Sequence, residues 1–366
     1  MPRLWVAPEV CDGRAAATAR EVGFEVAEDS KGPLDAVWTW VADESNRELR
    51  ERTRVVSQLE GIEVLSWKSH LSRLCAEVSF PVLPTLVFAS TTAVRRWAEA
   101  EFRISGETWI LKDALANSGA GLWIITRRNW RVVLARLAAH DATLEAEELG
   151  TEYVAQAYVL RPRLWKDTGC KFHWRVYAVL CAGGDVLVYR RAFAHVASAV
   201  YETSSGEFPT KAHITNVAQN VGDTGFQGYP IVDLPTEEPR LWAQVARAVG
   251  DLCARASARL PAPAPGHFAH LGVDFLEDDS GGVWVLEVNA PPCLGSQSER
   301  GGEDDEAVDL LFVPQVRDMF SALLLPEDQK SLGGWVVVQQ VTPVGAAASR
   351  RYVQGETGGR GRVGRG

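Results

Sequence analysis

Val283-Trp284-Val285-Leu286-Glu287-Val288-Asn289 begins as an apolar β-strand and ends with a carboxylate and an amide two residues apart. Side chains alternate between the faces of a strand, so Glu287 and Asn289 share one face. A buried carboxylate is costly unless it is paired or bound to metal, and two oxygen donors on one face suit a hard cation such as Mg²⁺. A strand end turning polar as it meets solvent would give the same pattern. One loop earlier, Asp274 interrupts a second apolar run, His270-Leu271-Gly272-Val273-Asp274-Phe275-Leu276. If the two runs pair antiparallel through the loop Glu277 to Gly282, Asp274 lies beside Glu287 and Asn289 and completes a three-ligand oxygen site.

Two further runs carry the complementary charge. Trp109-Ile110-Leu111-Lys112 reads as a strand ending in lysine, followed by the small-residue loop Ser118-Gly119-Ala120-Gly121-Leu122. Backbone N–H groups of such a loop can approach phosphate oxygens closely while the lysine adds a point charge, although a plain hairpin turn looks alike. In Lys171-Phe172-His173-Trp174-Arg175, alternation puts Lys171, His173 and Arg175 on one face, as in a strand facing an anion or one facing solvent. Lysine is scarce, since 38 basic residues include only Lys31, Lys68, Lys112, Lys166, Lys171, Lys211 and Lys330. An ammonium meets phosphate as a point charge and is not equivalent to a planar guanidinium, so the lysines retained in such a chain mark positions of interest.

A chain of 366 residues, 46% hydrophobic and 23% charged, can bury one large core or two to three coupled lobes. The six cysteines are scattered, with no C-x-x-C pair and no Cys/His cluster at zinc spacing, so neither a disulfide framework nor a structural zinc is indicated. No signal-peptide pattern opens the chain, and no run approaches the roughly 18 apolar residues of a membrane span, which predicts a cytoplasmic protein with no membrane partner. A net charge of −9 argues against nucleic acid as a partner. Strand patterns at 3–8 and 36–41, a helix at 13–22 and an extended stretch at 62–66 predict a small α/β domain over residues 1–66. Mixed strands and helices predict a central α+β lobe over 67–157 and a larger one over 158–330. The Gly/Arg-rich end, Gly355 to Gly366, predicts a largely disordered tail over 331–366.

Taken in order, these segments resemble the tubulin tyrosine ligase family of the ATP-grasp superfamily, from about Leu65 to Leu294. Ser66-Trp67-Lys68-Ser69 is similar to the family's early lysine segment, and Pro84-Thr85-Leu86-Val87 to the strand after it. Trp109 to Gly121 resembles its W-I-x-K strand and glycine flap, with Asp113 where proline is usual. Tyr153-Val154-Ala155-Gln156-Ala157-Tyr158-Val159 resembles the hinge whose backbone and Gln hold adenine, with Ala157 in place of the usual lysine. Lys171 to Arg175 resembles K-F-D-x-R, His213-Ile214-Thr215-Asn216 resembles H-L-T-N, Asp274 falls in the D-F-L motif, and Glu287 to Pro292 resembles E-V-N-x-x-P.

The resemblance implies an α+β ATP-grasp fold, two lobes clasping ATP, preceded by the small N-terminal α/β domain. It also implies an ATP- and Mg²⁺-dependent ligase in which an acceptor carboxylate becomes an acyl phosphate and the amine of a free amino acid displaces the phosphate. On this resemblance Lys112 and Lys171 hold ATP phosphates, Arg175 stabilises the transferring phosphoryl group, and Asp274, Glu287 and Asn289 bind Mg²⁺. Gly119, Gly121, Gln156, Tyr158 and Val159, with Lys68, Thr215 and Asn216, are implied to surround the nucleotide. The implied acceptor is tubulin or another protein with an accessible carboxylate, and the implied location is the cytoplasm, in association with the cytoskeleton. Two departures fall on the substrate side: His173 replaces the motif's Asp, and His195, in Tyr189-Arg190-Arg191-Ala192-Phe193-Ala194-His195, stands where many relatives carry Arg. Either the specificity differs, or Arg190 or Arg191 takes over one role; a core-packed His195 accounts for the sequence equally well. Two other readings share the motifs: a nucleotide-binding interaction protein without ligase activity, and a ligase for a small-molecule carboxylate, which a deep closed pocket would indicate.

Overall fold

The strand Cys170–Cys181 is buried along all 12 of its residues, and most of the molecule is layered about it. The computed structural model describes residues 1–7, 14–39, 47–116, 119, 121–146, 152–220, 222–226, 228, 230–262, 264–292, 308–325 and 330–340. Among the described residues the strands form three sheets. The first is parallel, with β1 (Arg3–Val6), β2 (Glu25–Val26), β3 (Ala36–Trp38) and β4 (Val55–Val56) in the order β2-β1-β3-β4. Parallel neighbours need a crossover, and helix Arg14–Glu21 supplies the one between β1 and β2. Residues 62–66, expected to be extended, instead contain the short helix Glu63–Ser66 with Leu65 buried. A brief apolar run fits either periodicity, and here the core contact made by one turn of helix prevails.

The second sheet is antiparallel, with β5 (Thr85–Phe88), β6 (Trp109–Asp113), β7 (Leu122–Ile125) and β8 (Tyr153–Ala157) in the order β5-β8-β6-β7. Helices Thr91–Ile104 and Trp130–Ala146 back it. The first of these starts at Ser90, whose side chain accepts from the Ala93 amide and so satisfies one of the unpaired N–H groups of the first turn. Val94, Phe102, Leu111, Ile125 and Tyr153 form a core that belongs to this lobe alone.

The third sheet holds β9 (Cys170–Cys181), β10 (Val186–Val200), β11 (Ile231–Asp233), β12 (Phe268–Glu277), β13 (Val283–Asn289) and β14 (Trp335–Gln339). Its order is β11-β10-β9-β12-β13, with β14 paired to β10. Helix Pro239–Ser257 covers one face through Leu241, Val245, Val249 and Leu252. The other face, through Tyr177, Val179, Leu187 and Phe268, packs into one cluster with Leu4 and Trp38 of the first sheet and Phe320 of helical residues 308–324. The ring of Phe320 lies 4.9 Å from that of Trp38, edge to face. The N-terminal unit therefore shares a core with the large lobe. The tail expected from residue 331 is also displaced, because Trp335–Gln339 adds a strand with Trp335 opposite Tyr189. The Gly/Arg bias that suggested the tail starts only at 355, and residues 341–366 lie outside the described residues. No described helix is long and apolar enough to cross a membrane.

Two predictions follow from this packing. Phe320→Ala should cost about 3–5 kcal/mol, as for other buried aromatic truncations, and should shift the N-terminal unit and the large lobe together in a single urea transition. His270 of β12 is buried, its Nε2 accepts from the Gln315 side chain at 2.9 Å, and burial pushes its pKa from about 6.5 down to about 3. The unfolded chain protonates this ring near 6.5 while the folded chain resists. The stability contributed by the neutral ring is thus complete above that pH and is lost as pH falls toward 3, by up to ~1.4 kcal/mol per pH unit. Urea denaturation between pH 7 and 5 should show this decline, with a shallower slope in His270→Gln.

Candidate active site

The strand pairing expected from the sequence is present, with Asp274 opposite Glu287 and Gly272 opposite Asn289 across β12 and β13. On its other side Asp274 is registered with Arg175 of β9. Arg175 Nη2 donates to Asp274 Oδ2 at 2.9 Å, and Nε donates to Oδ1. Burial opposes the guanidinium charge, but the Asp274 carboxylate more than offsets it and the Arg175 pKa is raised. The glycine in this strand has a steric reason: a Cβ at Gly272 would stand 3.1 Å from Arg175 Cδ and 2.8 Å from Pro292 Cβ. Asn289 Nδ2 donates to Glu287 Oε1 at 3.4 Å.

Two lysines reach this end of the sheet from different lobes. Lys112, near the end of β6, donates to the Gln156 Oε1 at 2.9 Å and across to the Leu286 carbonyl at 3.2 Å. Burial pushes its pKa down to about 8, against the pull of Glu287. Lys171 of β9 donates to Tyr158 Oη at 3.0 Å and to the His213 carbonyl at 3.1 Å. Burial, reinforced by the charge of Lys112, lowers its pKa to about 7. Both lysines, Asp274 and Glu287 line a cleft of about 630 Å³, part of it open to solvent. Ile110, Leu122, Val159 and Ile214 supply an apolar wall to the same cleft. One cleft thus gathers an apolar lining, two ammonium groups and two carboxylates.

Of the glycine loop, Gly119 and Gly121 are among the described residues, and neither lines the cleft. Gly119 has φ +78°, and a Cβ there would fall 2.8 Å from Gln219 Cγ and 3.1 Å from Asn216 Cβ, so Gly119 rests against Asn216, which does line it. Gly121, at φ +62°, lets the chain turn back against Asp113. Asp113, at the position where proline was expected, accepts from the Leu115 amide at 2.8 Å and meets His140 Nε2 at 2.7 Å, anchoring the start of the loop to helix Trp130–Ala146. Lys68 Nζ donates to the Ala116 carbonyl. It lines a second cavity of about 400 Å³ that shares Lys112 and Gln156 with the first. The Gln156 amide also donates to Thr85 Oγ1 at 3.4 Å.

The two histidines that depart from the motifs are cross-strand partners on β9 and β10, with ring centroids 4.5 Å apart. His173 lines the cleft; its Nδ1 lies 2.6 Å from Thr215 Oγ1 and its Nε2 faces Asp274 Oδ2 at 3.6 Å. Burial first, then the Arg175 charge, pushes its pKa down to about 3, so His173 is a neutral ring where the motif has a carboxylate. His195 stacks on Phe193 at 4.8 Å on the far side of His173. Neither arginine of the pair suggested as a substitute lines the cleft. Arg190 is bound to Asp233 at 2.6 and 3.0 Å, and Arg191 donates to the Leu310 carbonyl at 3.4 Å. Proximity in sequence to His195 suggested them, but β11 brings a carboxylate to Arg190 that the sequence does not reveal. Conversely, the side chain of His213 was not singled out, although it packs against Tyr158 at the cleft; the only signal was its place in the run His213-Ile214-Thr215-Asn216.

The donor set fits Mg²⁺. Among the described residues no group of three His, Cys, Asp or Glu side chains forms a cage, and Mg²⁺ is usually held by one or two carboxylates together with substrate oxygens. Asp274 and Glu287 provide that pair, each carboxylate has lone pairs beyond those used by Arg175 or Asn289, and the Asn289 carbonyl adds a neutral oxygen.

Residues 77–303 match the sequence profile of the Tubulin-tyrosine ligase family. Among curated proteins, the chain is 24% identical over 277 residues to a probable tubulin polyglutamylase of Caenorhabditis elegans, covering 69% of this chain and 59% of that one. It is 25% identical over 294 residues to a protein polyglycylase of Macaca fascicularis, covering 70% and 43%. It is 24% identical over 292 residues to a protein of Homo sapiens described as an inactive polyglycylase, covering 70% and 40%. The chain thus spans between 40% and 59% of the length of these relatives.

The buried ion pair yields a measurable expectation. Arg175→Met should destabilise the fold by about 3–5 kcal/mol, because it leaves the Asp274 carboxylate buried alone, and adding Asp274→Asn should recover part of that loss. A double-mutant cycle in urea reads both effects.

Proposed function

We propose, on the footing that this chain belongs to the tubulin-tyrosine ligase family, that it is an ATP- and Mg²⁺-dependent carboxylate–amine ligase joining a free amino acid to a carboxylate on a protein. The observation that carries this reading is the convergence of Lys112, Lys171, Asp274 and Glu287 on one cleft beside an apolar wall. The wall suits a purine, the two ammonium groups suit phosphates, and the carboxylates with Asn289 would hold Mg²⁺. Mg²⁺, when bound, would offset phosphate charge during transfer.

A carboxylate resists attack by an amine because it is anionic and resonance-stabilised. In the proposed reaction an acceptor carboxylate oxygen bonds to the γ-phosphorus as ADP leaves, and the amino-acid nitrogen then bonds to the acyl carbon as phosphate leaves. Lys112 and Lys171 each hold two neutral acceptors in this structure, which leaves an ammonium N–H for a phosphate oxygen, a charged partner that makes a stronger hydrogen bond. Arg175, held in one orientation by Asp274 and buried just behind the residues that line the cleft, is the third cation and is assigned to the transferring group by its place in the motif. The relatives' names, which describe enzymes that modify proteins, favour a protein acceptor over a small molecule. The names of the relatives, a tubulin polyglutamylase and a protein polyglycylase, make tubulin the first acceptor to try and Glu and Gly, beside Tyr, the first donors. The same reading puts the protein in the cytoplasm, near a cytoskeletal acceptor. A second reading, a nucleotide-binding protein that does not ligate, is favoured by neutral His173 on the substrate side and by the relative described as inactive.

Intact-mass spectrometry of tubulin and detyrosinated tubulin, after incubation with the protein, Mg-ATP and separately Glu, Gly or Tyr, tests the proposal. A donor-sized mass gain is expected, and Glu287→Gln should abolish it while leaving the melting temperature within a few degrees. No gain with any donor, in a sample that demonstrably binds ATP, would favour the non-ligating reading. Unchanged turnover in Glu287→Gln would refute the metal assignment.

A further inference from the structure

A buried polar chain runs behind Lys171. Tyr158 Oη accepts from Lys171 at 3.0 Å and lies 2.8 Å from His213 Nδ1, while His213 Nε2 lies 3.0 Å from the Glu202 carbonyl oxygen. A carbonyl can only accept, so Nε2 carries the ring proton. In the neutral ring Nδ1 is then bare and accepts the Tyr158 hydroxyl proton, which leaves the hydroxyl lone pairs for the Lys171 ammonium. Through His213 the bonds run in one direction from Lys171 to Glu202. The Tyr201 hydroxyl, which donates to the Leu160 carbonyl at 2.9 Å, also borders the Tyr158 hydroxyl and offers it a second acceptor without changing the Lys171 contact. The rings of Tyr201 and Phe208 pack at 4.8 and 4.9 Å from that of His213, and burial pushes the His213 pKa down to about 4, so the ring is neutral.

The consequence falls on the lysine. An ammonium has three donors, and here one goes to Tyr158 Oη and one to the His213 carbonyl, so the same residue holds Lys171 directly with its backbone and indirectly with its ring. Lys171 Nζ also stands 4.3 Å above the Tyr158 ring, which restricts the side chain further. We propose that His213 and Tyr158 are positioning residues that aim the third N–H of Lys171 at the phosphates of the bound nucleotide. Tyr158 then acts through its hydroxyl on phosphate affinity, beyond any contact its backbone makes with the base. This inference rests on reading the cleft as the ATP site, and its test separates the two.

Titration calorimetry of the full chain with ATP and, separately, adenosine reads the effect. Lys171→Met is the reference and should weaken ATP binding with little change for adenosine. Tyr158→Phe, which keeps the ring, and His213→Leu should each weaken ATP binding by about tenfold, the order expected for one misdirected charge-assisted hydrogen bond, and leave adenosine within about twofold. His213→Asn, whose Oδ1 can accept the Tyr158 hydroxyl, should restore most of the ATP affinity. If Lys171→Met weakens ATP binding but Tyr158→Phe and His213→Leu do not, the positioning role is overturned and the ATP reading stands. Equal losses for ATP and adenosine would show a general structural role and also overturn it. ATP affinity unchanged in Lys171→Met would overturn the reading of the cleft itself.

Discussion

The buried pair between Arg175 and Asp274 constrains everything built at this end of the sheet. Two charges removed from water carry a desolvation cost of several kcal/mol each, which only close, two-point hydrogen bonding offsets. Their geometry requires β9 and β12 to stand in one register, since a slip of one residue in either strand would put the two side chains on opposite faces. With that register set, Glu287 falls beside Asp274, Gly272 passes under the arginine stem, and Lys171 and His173 point into the cleft. The pair thus orders the ligand-facing groups while remaining largely screened from solvent itself.

A different logic governs the lysines. Each is buried enough that its ammonium is disfavoured, and each is held by neutral oxygen atoms. Lys112 bridges the two lobes through the Leu286 carbonyl, whereas Lys171 stays within its own lobe and the strand that leads into it. Cations poised in this way gain most from an anion, because a charged oxygen joins neutral ones in a site already stripped of much of its water.

The oxygen donors were legible in the sequence because strand alternation and a short connecting loop determine their placement without reference to the rest of the fold. The same holds for Lys112, where a strand meets a glycine loop, and for the alternation of Lys171, His173 and Arg175. What could not be read were partners supplied by distant segments. Asp233 claims Arg190, β14 at the chain's described end pairs with β10, and the Tyr158 hydroxyl turns to His213 across 55 residues. Helix Glu63–Ser66 was missed for the related reason that the short run 62–66, with Ile62, Val64 and Leu65 as its apolar residues, carries too little periodicity to outweigh its packing.

The large sheet is clad on one face by segments from both extremes of the described chain, the first four strands and helical residues 308–324, while β14 extends the sheet beside β10. None of these lies within residues 77–303, the stretch that defines the kinship. A fragment trimmed to that stretch would keep every cleft residue from Lys112 to Asn289 yet lay bare Tyr177, Val179, Leu187 and Phe268, an apolar surface suited to self-association. The stretch that matches the family and the unit that buries the large sheet therefore have different borders, and the sheet that lines the cleft depends for its second covered face on segments outside that match.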